Sequence, residues 1–174
     1  GEVDGLFRSP VEVDAVVKTL SQFRAGPAES CEFQILSPYN DQLGLLRSTI
    51  GAGLAGELAH MAKPPFSLRG GKRMGATVDE FQGSEADVVV VSLVRNNALV
   101  PWKSVGFLRE ANRMNVLLSR ARHKLVIVGS WDFFASRCDA HTDEDVDYSY
   151  MRRMMAVMAD AKAQGELARV RAPA

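Results

Sequence analysis

Residues Asn115–Arg122, NVLLSRAR, run straight into the apolar stretch HKLVIVGS and set two arginines, Arg120 and Arg122, just before a strand read as buried. A guanidinium is planar, permanently charged and able to make paired bonds to oxygen, so the pair suits an anion. In phosphoryl transfer, charge spreads over the γ-phosphate oxygens, and an arginine delivered from a neighbouring domain stabilises it. A solvated helix end, whose cations favour the C-terminal dipole, accounts for the same residues without chemistry. Upstream, TVDEFQGSEADVVVVSLVRNN (Thr77–Asn97) is a polar loop feeding an unbroken hydrophobic strand. Within it, Gln82-Gly83-Ser84-Glu85 makes a turn where Gly83 lets the backbone come close to a phosphate or ribose. An ordinary left-handed turn is the alternative. A third segment, Ser37-Pro38-Tyr39-Asn40-Asp41-Gln42, offers a flat ring at Tyr39 and a bidentate amide at Gln42. A strand-to-helix turn with Asn and Asp at the helix start explains it equally well.

These groups need a scaffold, and the pattern supplies one. Ser9-Pro10-Val11-Glu12 reads as a helix start: a Ser cap, Pro at the first position and Glu three residues on. Val13, Val16, Val17, Leu20 and Phe23 continue at helical spacing as far as Gly26-Pro27. Phe33–Ser37 is a short strand. Pro38–Met61 reads as a second helix, weakened by glycines and open to a break near Gly51–Gly56. Strands follow over Met74–Val78 and Asp87–Val94, the latter apolar enough to be covered on both faces. A helix over Arg109–Ala121, a strand over Lys124–Gly129, a short helix from Trp131 to near Cys138 and a last helix over Tyr148–Gly165 complete the series. Alternating strands and helices predict an α/β fold with a parallel sheet between helical layers. The arginines then fall toward the sheet's amino edge, whereas ligands of such folds usually bind at the other edge. A facing domain that brings its own nucleotide resolves that conflict.

At 174 residues and 47% hydrophobic content, the chain can bury one full core. The 21 basic and 21 acidic residues cancel, so any nucleic-acid contact must be local rather than a bulk attraction. No run of eighteen or so apolar residues spans a membrane and no leader pattern opens the chain, which starts with Gly1 and reads as part of a longer protein. Two distant cysteines, Cys31 and Cys138, fit a reducing, cytosolic setting. Cys138-x-x-His141 is half a zinc spacing with no second pair nearby, so no metal site is expected. Lys63, Arg69, Lys72 and Arg73 can meet phosphates or simply be a solvated loop. Met151, Met154, Met155 and Met158 form an apolar stripe on the last helix, suited to packing. The phosphate-binding pattern G-x-x-x-x-G-K-[ST] is absent, since Phe66 stands where its first glycine belongs and Arg73 where Ser or Thr is needed.

Taken together, Thr77–Asn97 and Asn115–Arg122 resemble motifs V and VI of a superfamily 1 helicase, and Ser37–Gln42 resembles motif IV. The Phe81-Gln82-Gly83 turn and the arginine pair look most like the branch typified by the nonsense-mediated-decay RNA helicase. The resemblance covers roughly Phe33 to Trp131. It implies a RecA-like three-layer domain, the second of two, over residues 1–138, with 139–174 an acidic linker and a helix packed on it. It further implies ATP and Mg2+ shared with an N-terminal RecA-like domain that carries the ATP-binding loop, a track of single-stranded DNA or RNA, 5′ to 3′ movement, and a cytoplasmic or nuclear location. By resemblance Arg120 is the arginine finger and Arg122 a helper, with Ser119 replacing the family's usual Thr. Gly83, Glu85, Gln82, Tyr39 and Gln42 would face the nucleotide, and Thr77, Asp79, Ser37 and Pro38 the nucleic acid. Asp79-Glu80 is not the metal-holding Asp-Glu of such motors, because Met74–Thr77 is not the strongly apolar strand that precedes it. The rival expectations are a non-catalytic binding module that kept the fold, and a stand-alone nucleotide-binding domain.

Overall fold

A computed structural model of the chain describes residues 7–24, 30–66, 68, 74–95, 106, 110–140 and 149–165, with backbone alone for 139 and 140. The sequence order is α1 (Pro10–Gln22), β1 (Phe33–Leu36), α2 (Asn40–Gly53), a 3-10 turn (Ala59–Ala62), β2 (Gly75–Ala76), β3 (Ala86–Ser92), α3 (Ala111–Leu118), β4 (Ala121–Val128), α4 (Trp131–Ala140) and α5 (Ser149–Ala163). The four strands form one parallel sheet in the order β2-β1-β3-β4. Side chains alternate across β3, so Val88 and Val90 pack with α1, α2 and the 3-10 turn while Val89 and Val91 pack with α3, α4 and α5. This is the α/β sandwich the alternation of elements predicts. Met151 of α5 is fully buried in the second layer, with Tyr150, Met154 and Met155 packed beside it. Cys31 and Cys138 are free thiols. Among the described residues no helix is long and apolar enough to cross a membrane.

The helix starts follow their local chemistry, with one change of partner. Ser9 caps α1 in extended conformation, its Oγ accepting the Glu12 amide at 3.3 Å, and Pro10 opens the helix. The Glu12 side chain does not return to the Ser9 amide as a reciprocal capping pair would. It turns inward, where Oε2 accepts from the Ser92 hydroxyl at 2.6 Å and from the Val94 amide at 3.0 Å. Gln42 takes over the Ser9 amide instead, at 2.7 Å, and its Nε2 donates to Ser9 O and Ser92 Oγ. A buried polar cluster therefore joins α1, α2 and the end of β3. It also holds Val94 at φ 67, a left-handed conformation that a β-branched residue rarely adopts.

Several boundaries differ from those the sequence suggests. α2 ends at Gly53, as the glycines warned, and the chain reaches Met61 through turns. β2 is only two residues because Thr77 and Glu80 form a reciprocal capping pair: Thr77 N donates to Glu80 Oε2 at 2.8 Å and Glu80 N to Thr77 Oγ1 at 3.3 Å. That pair turns the chain out of the sheet. α3 stops at Leu118 and β4 starts at Ala121, three residues earlier than Lys124, because Arg120 O accepts the Ala86 amide and draws the chain into the sheet. β4 is the outer strand of the described sheet and is half-exposed rather than buried. The loop at 96–105, the acidic segment at 141–147, His141, Arg69, Lys72 and Arg73 lie wholly or almost wholly outside the described residues.

Removing the Glu12 carboxylate would strand the Val94 amide in the core and leave the Ser92 hydroxyl only its bond from Gln42. Glu12→Ala is expected to lower unfolding free energy by about 2 kcal/mol or more, read from urea denaturation. Burial raises the Glu12 pKa above the ordinary carboxylate range, against the lowering effect of Ser92 and Val94. The folded state thus holds this proton more tightly than the unfolded one, so stability from protonation is gained as pH falls through the raised pKa and lost as it rises. Wild type should gain stability relative to Glu12→Gln on acidification from neutrality, and a constant difference would contradict this.

Candidate functional site

The proposed nucleotide and nucleic-acid residues divide between the two edges of the sheet. From the end of β2 the segment 77–85 crosses back along the sheet to the start of β3. Its descent is secured by Phe81 N donating to Thr77 O, Gln82 N to Asp79 O and Ser84 N to Phe81 O, while Val78 and Phe81 pack on the core. Thr77 therefore lies at the carboxyl edge and Gln82-Gly83-Ser84-Glu85 at the amino edge, separated by the seven residues of β3, roughly 20 Å at ~3.3 Å per residue.

At the amino edge the four turn residues are all exposed. Gly83 has φ +83, and a Cβ built there meets nothing within 4 Å, so its flank is open space. Arg120 stands beside this turn. Its Nη1 reaches Ser84 O at 3.4 Å, Nε donates to Val116 O at 2.9 Å and Nη2 to Ser119 Oγ at 3.1 Å. All three partners are neutral, and among the described residues no carboxylate pairs with Arg120. Ser119 thus keeps a use for the hydroxyl that the family usually supplies with Thr.

Arg122 is in the opposite electrostatic state. Its Nε donates to Asp87 Oδ1 at 2.9 Å and its Nη2 to Glu32 Oε2 at 2.6 Å, which joins the starts of β4, β3 and β1. These carboxylates raise the guanidinium pKa further, Asp87 first. A cation already shared by two anions has little left to offer a phosphate. Arg122 is thus an ion-pair clasp across the starts of three strands.

At the carboxyl edge, Tyr39 stacks on Phe7 with centroids 4.9 Å apart and 16° between planes. Its hydroxyl accepts from Arg95 Nε at 2.6 Å, and the Arg95 guanidinium lies 4.6 Å from the Phe7 ring centroid. One face of Tyr39 is thus covered, and the ring is a strand length from Gly83 and Glu85. Gln42 is 0% exposed with its amide committed to Ser9 and Ser92, and Ser37 is 0% exposed with its hydroxyl accepting the Tyr39 amide. Neither side chain is placed to touch a ligand; both build the turn that presents Pro38 and Tyr39. Asp79 is exposed and lies 3.9 Å from Arg113 Nε of α3. Helix α3 thus carries Arg113 opposite Asp79 and, just past its far end, Arg120 opposite Ser84.

Four residues that shape the two edges escape a reading of the sequence: Glu12, Asp87, Arg95 and Arg113. Asp87 left a signal, a lone charge opening the run Val88–Val91, and T-x-x-E at Thr77–Glu80 announced the turn. Arg95 joins Phe7 and Tyr39 through the left-handed Val94, and Gly106, at φ +51, packs so close to it that an added Cβ would meet the guanidinium. No linear pattern foretells that contact.

Gly83→Ala tests the open turn. A left-handed alanine should cost about 1 kcal/mol of stability with no clash, because the space is empty. Thermal melting checks this, and a far larger loss would show that the flank is filled rather than open.

Comparison with known proteins places the chain in a family. Residues 3–132 match the family described as AAA domain. The chain is 34% identical over 119 residues to the DNA polymerase alpha-associated DNA helicase A of Saccharomyces cerevisiae, covering 68% of this chain and 15% of that protein. It is 47% identical over 124 residues to a regulator of nonsense transcripts 1 homolog of Neurospora crassa, covering 71% and 10%. With the putative ATP-dependent RNA helicase ECM32 of Saccharomyces cerevisiae it shares 29% over 144 residues, covering 69% and 12%. The chain spans about a tenth to a seventh of these relatives. By its matched residues and its parallel sheet, the chain belongs to the AAA-domain family, and it resembles the C-terminal RecA-like domain of superfamily 1 helicases.

Proposed function

We propose that this chain is one half of an ATP-driven motor, supplying the arginine finger and part of a single-strand track. The observation that carries the proposal is the unequal state of the two arginines: Arg122 is neutralised by Asp87 and Glu32, whereas Arg120 holds its charge among neutral partners beside the exposed Ser84 turn. ATP would lie between residues 82–85 and a facing N-terminal RecA-like domain, whose groups would mainly hold Mg2+. Closure of the two domains would bring Arg120 to the γ-phosphate oxygens as charge spreads over them. A facing domain at the amino edge would remove the conflict with ligand binding at the carboxyl edge of other α/β folds. Pro38, Thr77 and Asp79, at or leading from the carboxyl edge, would meet the strand. Relatives named for DNA and for RNA both match, and these side chains suit either backbone. The segment 77–85 would then couple track to nucleotide, braced by Arg113 and Arg120. Cytoplasm or nucleus would be the place of action, and residues 1–138 the motor unit, with 139–174 an appendage.

The test is steady-state ATPase of the intact protein with saturating single strand. A group that acts only as charge develops contributes to the transition state, so Arg120→Ala should lower kcat by about a thousandfold while ATP binding changes little. Arg120→Lys should rescue poorly, because an ammonium cannot reproduce the planar fork. The isolated chain should hydrolyse no ATP above background. Near wild-type turnover by Arg120→Ala would sink the assignment.

A further inference from the structure

Strands β3 and β4 are parallel, but their register slips once. Ala86 pairs with Ala121 whereas Val88 pairs with Lys124, so β4 carries one surplus residue, at Arg122–His123. Bulges are rare between parallel strands, and beside functional sites they re-aim a side chain. Both residues of this bulge turn to one carboxylate. Arg122 Nε donates to Asp87 Oδ1 at 2.9 Å, and His123 Nε2 lies 3.7 Å from the same oxygen. The other oxygen, Oδ2, accepts the Glu32 amide at 2.8 Å. The Asp87 side chain is 18% exposed against 62% for Glu32, so it is the sheltered anchor of the group. The Glu32 amide, then Arg122, holds its carboxyl below the usual range.

The bulge begins two residues after the bond that fixes the finger's backbone, Ala86 N to Arg120 O at 3.1 Å. Without the surplus residue, β4 could keep its register with Val88–Ser92 only by shifting Ala121 one place along Ala86. A one-residue slip turns side chains to the opposite face of a sheet, and Arg120 would leave the Ser84 turn.

We propose that Asp87 is a positioning residue for Arg120: by pinning the Arg122–His123 bulge it sets where β4 meets α3, and so holds the guanidinium at the nucleotide turn. Arg122 belongs to this clasp rather than to the reacting atoms. The inference rests on Arg120 being the finger, and its test separates the two ideas.

The experiment compares wild type, Asp87→Asn, Arg120→Ala and the double variant in the intact protein, by ATPase, thermal melting and amide hydrogen exchange of the segment containing Ala86. Asp87→Asn should lower kcat about tenfold to a hundredfold, the scale of a misplaced catalytic group, with the KM for ATP and the melting temperature near wild type. Exchange at Ala86 should quicken. In the Arg120→Ala background the same change should leave kcat within about twofold, because it has no finger left to misplace. Arg122→Ala should reproduce Asp87→Asn, and Glu32→Gln, which removes one exposed partner only, should be milder; this pair keeps the test alive if Asp87→Asn does not fold. An equal loss in the Arg120→Ala background, or an unchanged kcat in Asp87→Asn, would overturn the proposal. Should Arg120→Ala keep full turnover, the finger reading fails instead, and exchange at Ala86 alone decides whether Asp87 holds the bulge: quickened supports it, unchanged ends it.

Discussion

Glu12 places a carboxylate beneath the first helix, where burial alone disfavours its charge, and the Ser92 hydroxyl and Val94 amide keep it there. Those donors belong to the end of β3, and Ser92 passes the connection to Gln42 at the start of α2. One polar cluster thus fixes how α1, α2 and the central strand meet. The left-handed turn at Val94 sends Arg95 across the sheet edge to Tyr39 and Phe7. Backbone strain of this kind costs about 1–3 kcal/mol and persists only where surrounding bonds over-determine it. The aromatic layer at the carboxyl edge is therefore a downstream result of a carboxylate that touches neither ring.

The amino edge is organised by charge cancellation rather than by burial. Arg122, Glu32 and Asp87 satisfy one another across three strands. Arg120, two residues away, is left with carbonyl and hydroxyl partners. Placing anions against one arginine and withholding them from its neighbour keeps the second available for a charge that arrives from outside. The chain as a whole is neutral, so this contrast exists only locally.

Much of this was legible in order of elements and little of it in partners. The apolar run Val88–Val91 could only be a covered strand, and Ser9-Pro10 could only begin a helix. Arg120 and the Gly83 turn are brought together as the motif spacing suggests. Glu12 misleads because its spacing from Ser9 satisfies a local rule while its side chain answers to residues eighty positions away. Gln42 and Ser37 misleadingly read as ligand contacts, since periodicity does not distinguish a polar group that faces a ligand from one that completes a core. The start of β4 is hidden in the sequence because Ala121–Lys124 lacks an apolar signature; it is a strand through its pairing with β3.

That polar beginning has a consequence for the molecule in solution. β4 is the outer strand of the described sheet, and an outer strand offers unpaired amides and carbonyls to any other chain. Arg122, His123 and Lys124 stand exposed along its first half, and Lys124 sets a charge where a second copy would have to add. The residues that interrupt the hydrophobic pattern thus also act as gatekeepers against edge-to-edge self-association.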